Sequence, residues 1–99
     1  MAKCKLTNNA VEDLSEIWSY TVETWPKSQS DKYYKLIINA CFEIAKKPQI
    51  GKVYPEIYPD LKGKITYKHI IFYRVMEDQS IEITRILHDR MDLKNKLTK

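Results

Sequence analysis

Tyr67-Lys68-His69-Ile70-Ile71-Phe72-Tyr73-Arg74-Val75-Met76 is followed by Glu77-Asp78-Gln79-Ser80. The chain then resumes as Ile81-Glu82-Ile83-Thr84-Arg85-Ile86-Leu87-His88-Asp89-Arg90-Met91-Asp92. Two runs rich in β-branched and aromatic residues enclose a short polar turn, the pattern of an antiparallel hairpin. In the first run Ile70, Phe72, Arg74 and Met76 alternate with Ile71, Tyr73 and Val75, so both faces are apolar. A strand apolar on both faces belongs in the middle of a sheet. Alternation in the second run puts Ile81, Ile83, Arg85 and Leu87 on one face, and Glu82, Thr84, Ile86 and His88 on the other. The first set reads as the inward one. Arg85 then needs an anionic or carbonyl partner, because a half-buried guanidinium left alone is costly. Asp13 and Glu16 are the candidates.

Working back toward the N-terminus, Leu61 to Thr66 reads as a strand that pairs with the hairpin. Gln49 to Pro59 is a connection punctuated by Gly51, Pro55 and Pro59. It is long enough to be expected to pack or to serve a function. Two helices precede it. The first carries Ala10, Val11, Leu14, Ile17, Trp18, Thr21 and Trp25 at helical spacing, and ends near Thr24 before Pro26. Asn9 with Glu12 three residues on is the pattern of a capping box. The second helix is expected from about Ser28, with Asp31 in its first turn, to Lys46-Lys47, where Pro48 blocks continuation. Its polar residues Lys32, Lys35, Asn39, Glu43 and Lys46 form a narrow stripe, and nearly everything else is apolar. That arc is wider than a one-sided surface helix requires. Either the fold covers it on more than one side, or part stays open for another chain. Lys3 to Thr7 is compatible with a first strand. The order is therefore β-α-α-β-β-β, an α+β arrangement with a two-helix hairpin on one face of a small, mainly antiparallel sheet. The other sheet face, or its edge, is left available.

With 99 residues the chain is expected to be a single domain, 1-99, with a basic tail at 93-99 that can fray. The formal net charge of +4 leans mildly toward an anionic partner. Cys4 and Cys41 are far apart and lack metal-ligand spacing, so buried reduced thiols are expected, with no metal and no cofactor. Gly51 and Gly63 are the two glycines, too few for a phosphate-cradling loop. No signal core opens the chain and no stretch approaches a membrane span, so a cytoplasmic protein with no membrane partner is expected. Lys62, Lys64, Lys68 and His69, with Tyr67 and Tyr73, make a basic patch with aromatic neighbours, either a nucleic-acid surface or a solvated strand edge. His69, His88, Tyr73, Arg74 and Arg90 are the residue types that acid-base cleavage of RNA would use.

At these residues the chain resembles a known family. Lys68-His69-Ile70-Ile71-Phe72-Tyr73-Arg74-Val75 and Ile83-Thr84-Arg85-Ile86-Leu87-His88-Asp89-Arg90-Met91-Asp92 look like ParE signatures. Leu6-Thr7, Ala10, Asp13-Leu14, Ile17-Trp18, Tyr20-Thr21 and Trp25 are similar to that family's first helix, and Pro48 with Gly51 to its helix ending. The agreement runs in order from about Leu6 to Asp92. It identifies the chain with the RelE/ParE toxin superfamily of type II toxin-antitoxin systems.

The resemblance implies a β-α-α-β-β-β fold and a cognate, ParD-like antitoxin whose C-terminal segment wraps the toxin in a hetero-oligomer. Trp18, Trp25, Tyr34, Ile38 and Phe42 are the residues expected to meet it. The superfamily's ribonuclease branch cleaves messenger RNA in the ribosome and typically has an arginine ahead of a Leu-Val-Tyr run. Here Ile70 precedes Ile71-Phe72-Tyr73, which favours the ParE branch, whose members inhibit DNA gyrase by binding and need no catalytic residue. Arg74, His88 and Arg90, with Lys94 and Lys96 of the basic tail, are then expected at a target-facing end. The alternatives are a ribosome-dependent endoribonuclease using His88 or His69 as base, and a non-toxic interaction module.

Overall fold

The computed structural model describes residues 4–88. Strand β1 (Cys4–Leu6) leads into helix α1 (Asn8–Thr24) and helix α2 (Lys27–Lys46). A 3-10 turn (Pro48–Ile50) follows, then β2 (Lys52–Val53), β3 (Lys62–Thr66), β4 (His69–Val75) and β5 (Ile81–His88). The strands form one sheet in the order β1-β5-β4-β3-β2. β1 runs parallel to β5, and every other pair is antiparallel. β4 is thus central, as its two apolar faces require. The α+β expectation holds. Its strand list was one short, because β2 is only two exposed residues long and too brief to show alternation.

Helix α1 starts earlier than the Asn9 capping box implies. Thr7 leaves β1 in extended conformation and its hydroxyl accepts from Ala10 N at 3.1 Å. The same hydroxyl donates to Thr84 O at 2.8 Å, and Thr7 N donates to Ile83 O at 3.0 Å. One threonine therefore caps the helix and fastens it to β5, an arrangement Asn9, inside the first turn, cannot reach. Trp25 N closes the helix on Thr21 O at 2.8 Å. Pro26 then serves as N-cap of α2, which begins at Lys27 rather than Ser28.

The main core lies between the helices and one sheet face. It joins Ala10, Leu14 and Ile17 of α1, Tyr33, Ile37, Ala40, Cys41 and Ile44 of α2, and Ile71, Tyr73, Ile81, Ile83 and Ile86 of the sheet. Ile86 belongs there because the β4–β5 ladder is irregular. Pairing steps from Phe72↔Arg85 to Tyr73↔Ile83, so Thr84 is an extra residue on β5. Such a bulge reverses the parity beyond it. This corrects strict alternation: Ile86 turns to the helices, and Leu87 turns to the opposite face. There Leu87, Ile70 and Phe72 meet Tyr54, Leu61 and Ile57 in a second cluster. The long connection therefore packs over the outer sheet face, which is not left bare as expected. Ile65 at its edge remains 61% exposed.

Candidate functional site

Helix α2 offers its apolar residues to two different environments. Ser30, Tyr33, Ile37, Ala40, Cys41 and Ile44 are buried, while Tyr34, Leu36 and Phe42 are exposed, Phe42 by 60%. The wide arc is thus covered on two sides, by α1 and by the sheet, and part of it is exposed as well. Tyr34, Ile38 and Phe42 are four residues apart and share one flank of the helix. Trp18 of α1 meets Tyr34 edge-on, with ring centroids 5.4 Å apart. Between the helices a groove of about 510 Å³ is lined by Val11, Leu14, Ser15, Trp18, Ser19, Asp31, Tyr34 and Lys35. An apolar floor with one acid and one lysine at its rim suits an amphipathic helix laid into it. Val11, half exposed, and the Asp31 and Lys35 rim were not singled out from the sequence. An apolar residue at helical spacing gives no sign of whether it faces the core or the edge of a groove.

Trp25 stands apart from this groove. It packs edge-on against Tyr33, at 5.4 Å, and half-buries against the main core. Together they belong to a cleft of about 430 Å³ at the other end of α1, which also takes in Asp13, Glu16, Tyr20, Thr21, Lys68, His69 and His88. His69 and His88 are cross-strand partners with ring centroids 5.3 Å apart. The Tyr33 hydroxyl and His69 Nδ1 share a hydrogen bond that orients the imidazole. The Tyr33 contact joins residues 36 apart in sequence and had no local signal.

The ladder register separates the residues expected to form one target-facing end. Arg74 is exposed and lies opposite Glu82 near the hairpin turn, whereas His88 lies opposite His69 at the far end of β5. Arg90, Lys94 and Lys96, with the tail 93-99, lie outside the described residues.

Two other cation and hydroxyl groups are committed to the fold. Arg85 grips Asp13, Nε at 2.7 Å from Oδ2 and Nη2 at 2.9 Å from Oδ1. Ile86 N donates to the same Oδ2 at 3.0 Å. The hydrogen bonds that Arg85 donates to Asp13 hold its guanidinium above its ordinary pKa. Asp13 rather than Glu16 is thus the partner. Tyr73, read from sequence as part of the basic patch, is fully buried. Its hydroxyl donates to Pro48 O and accepts from Gly51 N at 2.9 Å. Burial raises its pKa, so it offers neither a stacking face nor a proton donor. Lys64 Nζ lies 3.8 Å from Glu43. The thiols of Cys4 and Cys41 are free. Burial, with a smaller contribution from Cys4, pushes the Cys41 thiol up to about 12, which keeps it protonated and inert. Among the described residues no three His, Cys, Asp or Glu side chains gather as a metal site.

The sequence model for the family described as ParE toxin of type II toxin-antitoxin system, parDE, matches residues 4–93. Toxin ParE1 of Mycobacterium tuberculosis is 34% identical over 92 residues, covering 93% of this chain and 94% of that protein. Toxin ParE1 of Caulobacter vibrioides is 28% identical with the same coverage. Among solved structures, the chromosomal ParDE TA system from P. aeruginosa superposes with a TM-score of 0.76 at 21% identity, covering 89% of this chain and 96% of that one. The toxin-antitoxin complex RelBE2 from Mycobacterium tuberculosis gives 0.67 at 16%, covering 88% and 96%. These two likenesses establish the fold: two helices on a mixed five-stranded sheet.

Proposed function

The chain belongs to the ParE toxins of type II toxin-antitoxin systems, and from that premise we propose that it arrests growth by binding DNA gyrase in the cytoplasm until a cognate antitoxin covers it. The observation that carries the choice of target is Ile70. It stands where the ribonuclease branch typically has an arginine, and it is 5% exposed, sealed in the second cluster with Tyr54, Leu61 and Phe72. A side chain in that place cannot stabilise a phosphorane. Arg85 and Tyr73 do not substitute for it, since both are spent on the fold. With Ile70 sealed and these two groups engaged, the reading is a toxin that acts by occupying a surface.

The antitoxin reading is supported by the helix groove. Its Trp18 and Tyr34, continued along α2 by half-buried Ile38 and exposed Phe42, make the kind of surface that a ParD-like C-terminal segment would cover by folding onto it. Trp25, on the other cleft, would be reached only by a segment that continues around the end of α1.

The test is induction in cells with and without the antitoxin, following DNA and protein synthesis separately. Gyrase inhibition halts DNA synthesis first. Early loss of protein synthesis with messenger RNA decay would reject this reading. A ribosome-dependent endoribonuclease remains the second reading, favoured by one observation: His69, His88, Tyr33 and Lys68 sit together at a cleft. The His69→Ala/His88→Ala double variant should then lose toxicity, and full toxicity would remove it.

A further inference from the structure

The charge on this chain is segregated by element. Helix α1 holds Glu12, Asp13, Glu16 and Glu23 and no lysine or arginine. Five of the twelve lysines and arginines among the described residues gather on the flank where α2 lies against β3. Glu43 fixes that alignment by reaching Lys64, so the polar stripe of α2 faces the β3 side. Lys32, Lys46 and Lys47 follow one another along the exposed helix side and its C-cap, and Lys62 and Lys64 along the strand. From Lys32 to Lys47 the helix rises about 22 Å. Lys62 and Lys64, two residues apart, share a strand face at a spacing of about 7 Å. Glu43 is the one carboxylate among the described residues in ion-pair contact with any of the five. Helix-end charge accounts for Lys46 and Lys47 alone. Lys52 on β2 already protects the actual strand edge, which leaves Lys62 and Lys64, one strand in and on the helix side, without that explanation.

We propose that this flank docks the phosphate backbone of duplex DNA, without reading sequence. Lysine is a point-charge phosphate ligand and is depleted at protein interfaces, which argues against a protein partner here. Single-strand binders line a groove with stacking rings. Here the exposed rings near the track are Tyr67, at one end and held edge-on to Tyr33 at 6.0 Å, and Phe42, one turn from Lys46, and neither cavity described above is lined by any of the five lysines. The opposed acidic face on α1 orients the molecule as it approaches a polyanion. The proposal does not rest on the gyrase reading, although DNA is also what gyrase holds.

The experiment is fluorescence anisotropy of the full chain, made by chemical synthesis, with a labelled 30-base-pair duplex. Four lysines free of a carboxylate predict a loss of affinity of about 150-fold between 50 and 200 mM salt, and Lys47→Gln/Lys62→Gln reduces this to about 12-fold. Lys5→Gln/Lys27→Gln, which removes the same charge from the opposite sheet edge and the start of α2, should leave the salt dependence unchanged. If Lys47→Gln/Lys62→Gln melts early, Lys32→Gln/Lys46→Gln, at exposed helix positions, makes the same test. No binding at 100 µM and 50 mM salt would overturn the proposal, as would equal loss in the track and control variants. Tighter binding of single-stranded RNA or of poly-glutamate would overturn it in favour of those partners. The supercoiling activity of the same samples is read separately, so the two proposals fail independently.

Discussion

At Asp13 one carboxylate satisfies the forked guanidinium of Arg85 and the backbone N–H of Ile86 beside the bulge. Asp13→Ala would strand both donors. It should lower stability by about 2–3 kcal/mol, the modest end for a buried pair because Arg85 keeps some solvent contact. Asp13→Leu/Arg85→Met should recover most of that loss in urea unfolding; no recovery would mean the pair does more than fill space. Gly51 is another single-residue constraint. Any Cβ there runs into the Tyr73 ring, so Gly51→Ala must displace the hydroxyl that ties Pro48 to β4. A loss of about 1–3 kcal/mol is expected. Cys41 sets a pH limit. Its folded pKa of about 12 lies above the ordinary 9.0, so its contribution to stability is complete below pH 9 and is lost as pH rises toward 12. Urea melts at pH 8, 9 and 10 should show stability falling above pH 9, by at most about 1.4 kcal/mol per pH unit. Cys41→Ala should flatten that fall between pH 9 and 10.

At the scale of elements, α2 is the informative one, because its inner face holds the core and its flank toward α1 is open. Phe42→Ala should change stability by less than about 0.5 kcal/mol, as for a surface position. The same change should weaken antitoxin binding by about 2 kcal/mol, roughly 30-fold, if Phe42 is an anchor. Calorimetry with the antitoxin's C-terminal segment decides it, and unaltered affinity would move the interface off this flank. The sequence made both helices, the hairpin and the centrality of β4 legible, since each rests on a periodicity that spans many residues. Asp13 opposite Arg85 was readable because a half-buried guanidinium demands a partner. The bulge at Thr84 was not readable, for it leaves no composition signal, and so Ile86 and Leu87 were placed on the wrong faces. β2 and the outward packing of Tyr54 and Leu61 were hidden for a related reason: both depend on tertiary contacts made by a Pro-rich connection. Of the candidate site residues, proximity of His69 to His88 follows from the hairpin register. The separation of Arg74 from His88 follows from the same register, whereas that of Trp25 from Trp18 needed the three-dimensional arrangement.

At the scale of the whole molecule, the small sheet has each face covered by a different device, the helix pair on one and the long connection on the other. Arg85 and Tyr73 are committed to the fold, by Asp13 and by Pro48 with Gly51. What the described residues expose is an apolar groove, a histidine-bearing cleft and a lysine flank. The most direct measurement is a gyrase supercoiling assay with the purified chain. The account predicts that micromolar protein blocks supercoiling of relaxed plasmid and that equimolar antitoxin restores it. Undiminished supercoiling at that concentration, together with rapid messenger RNA loss in induced cells, would contradict it.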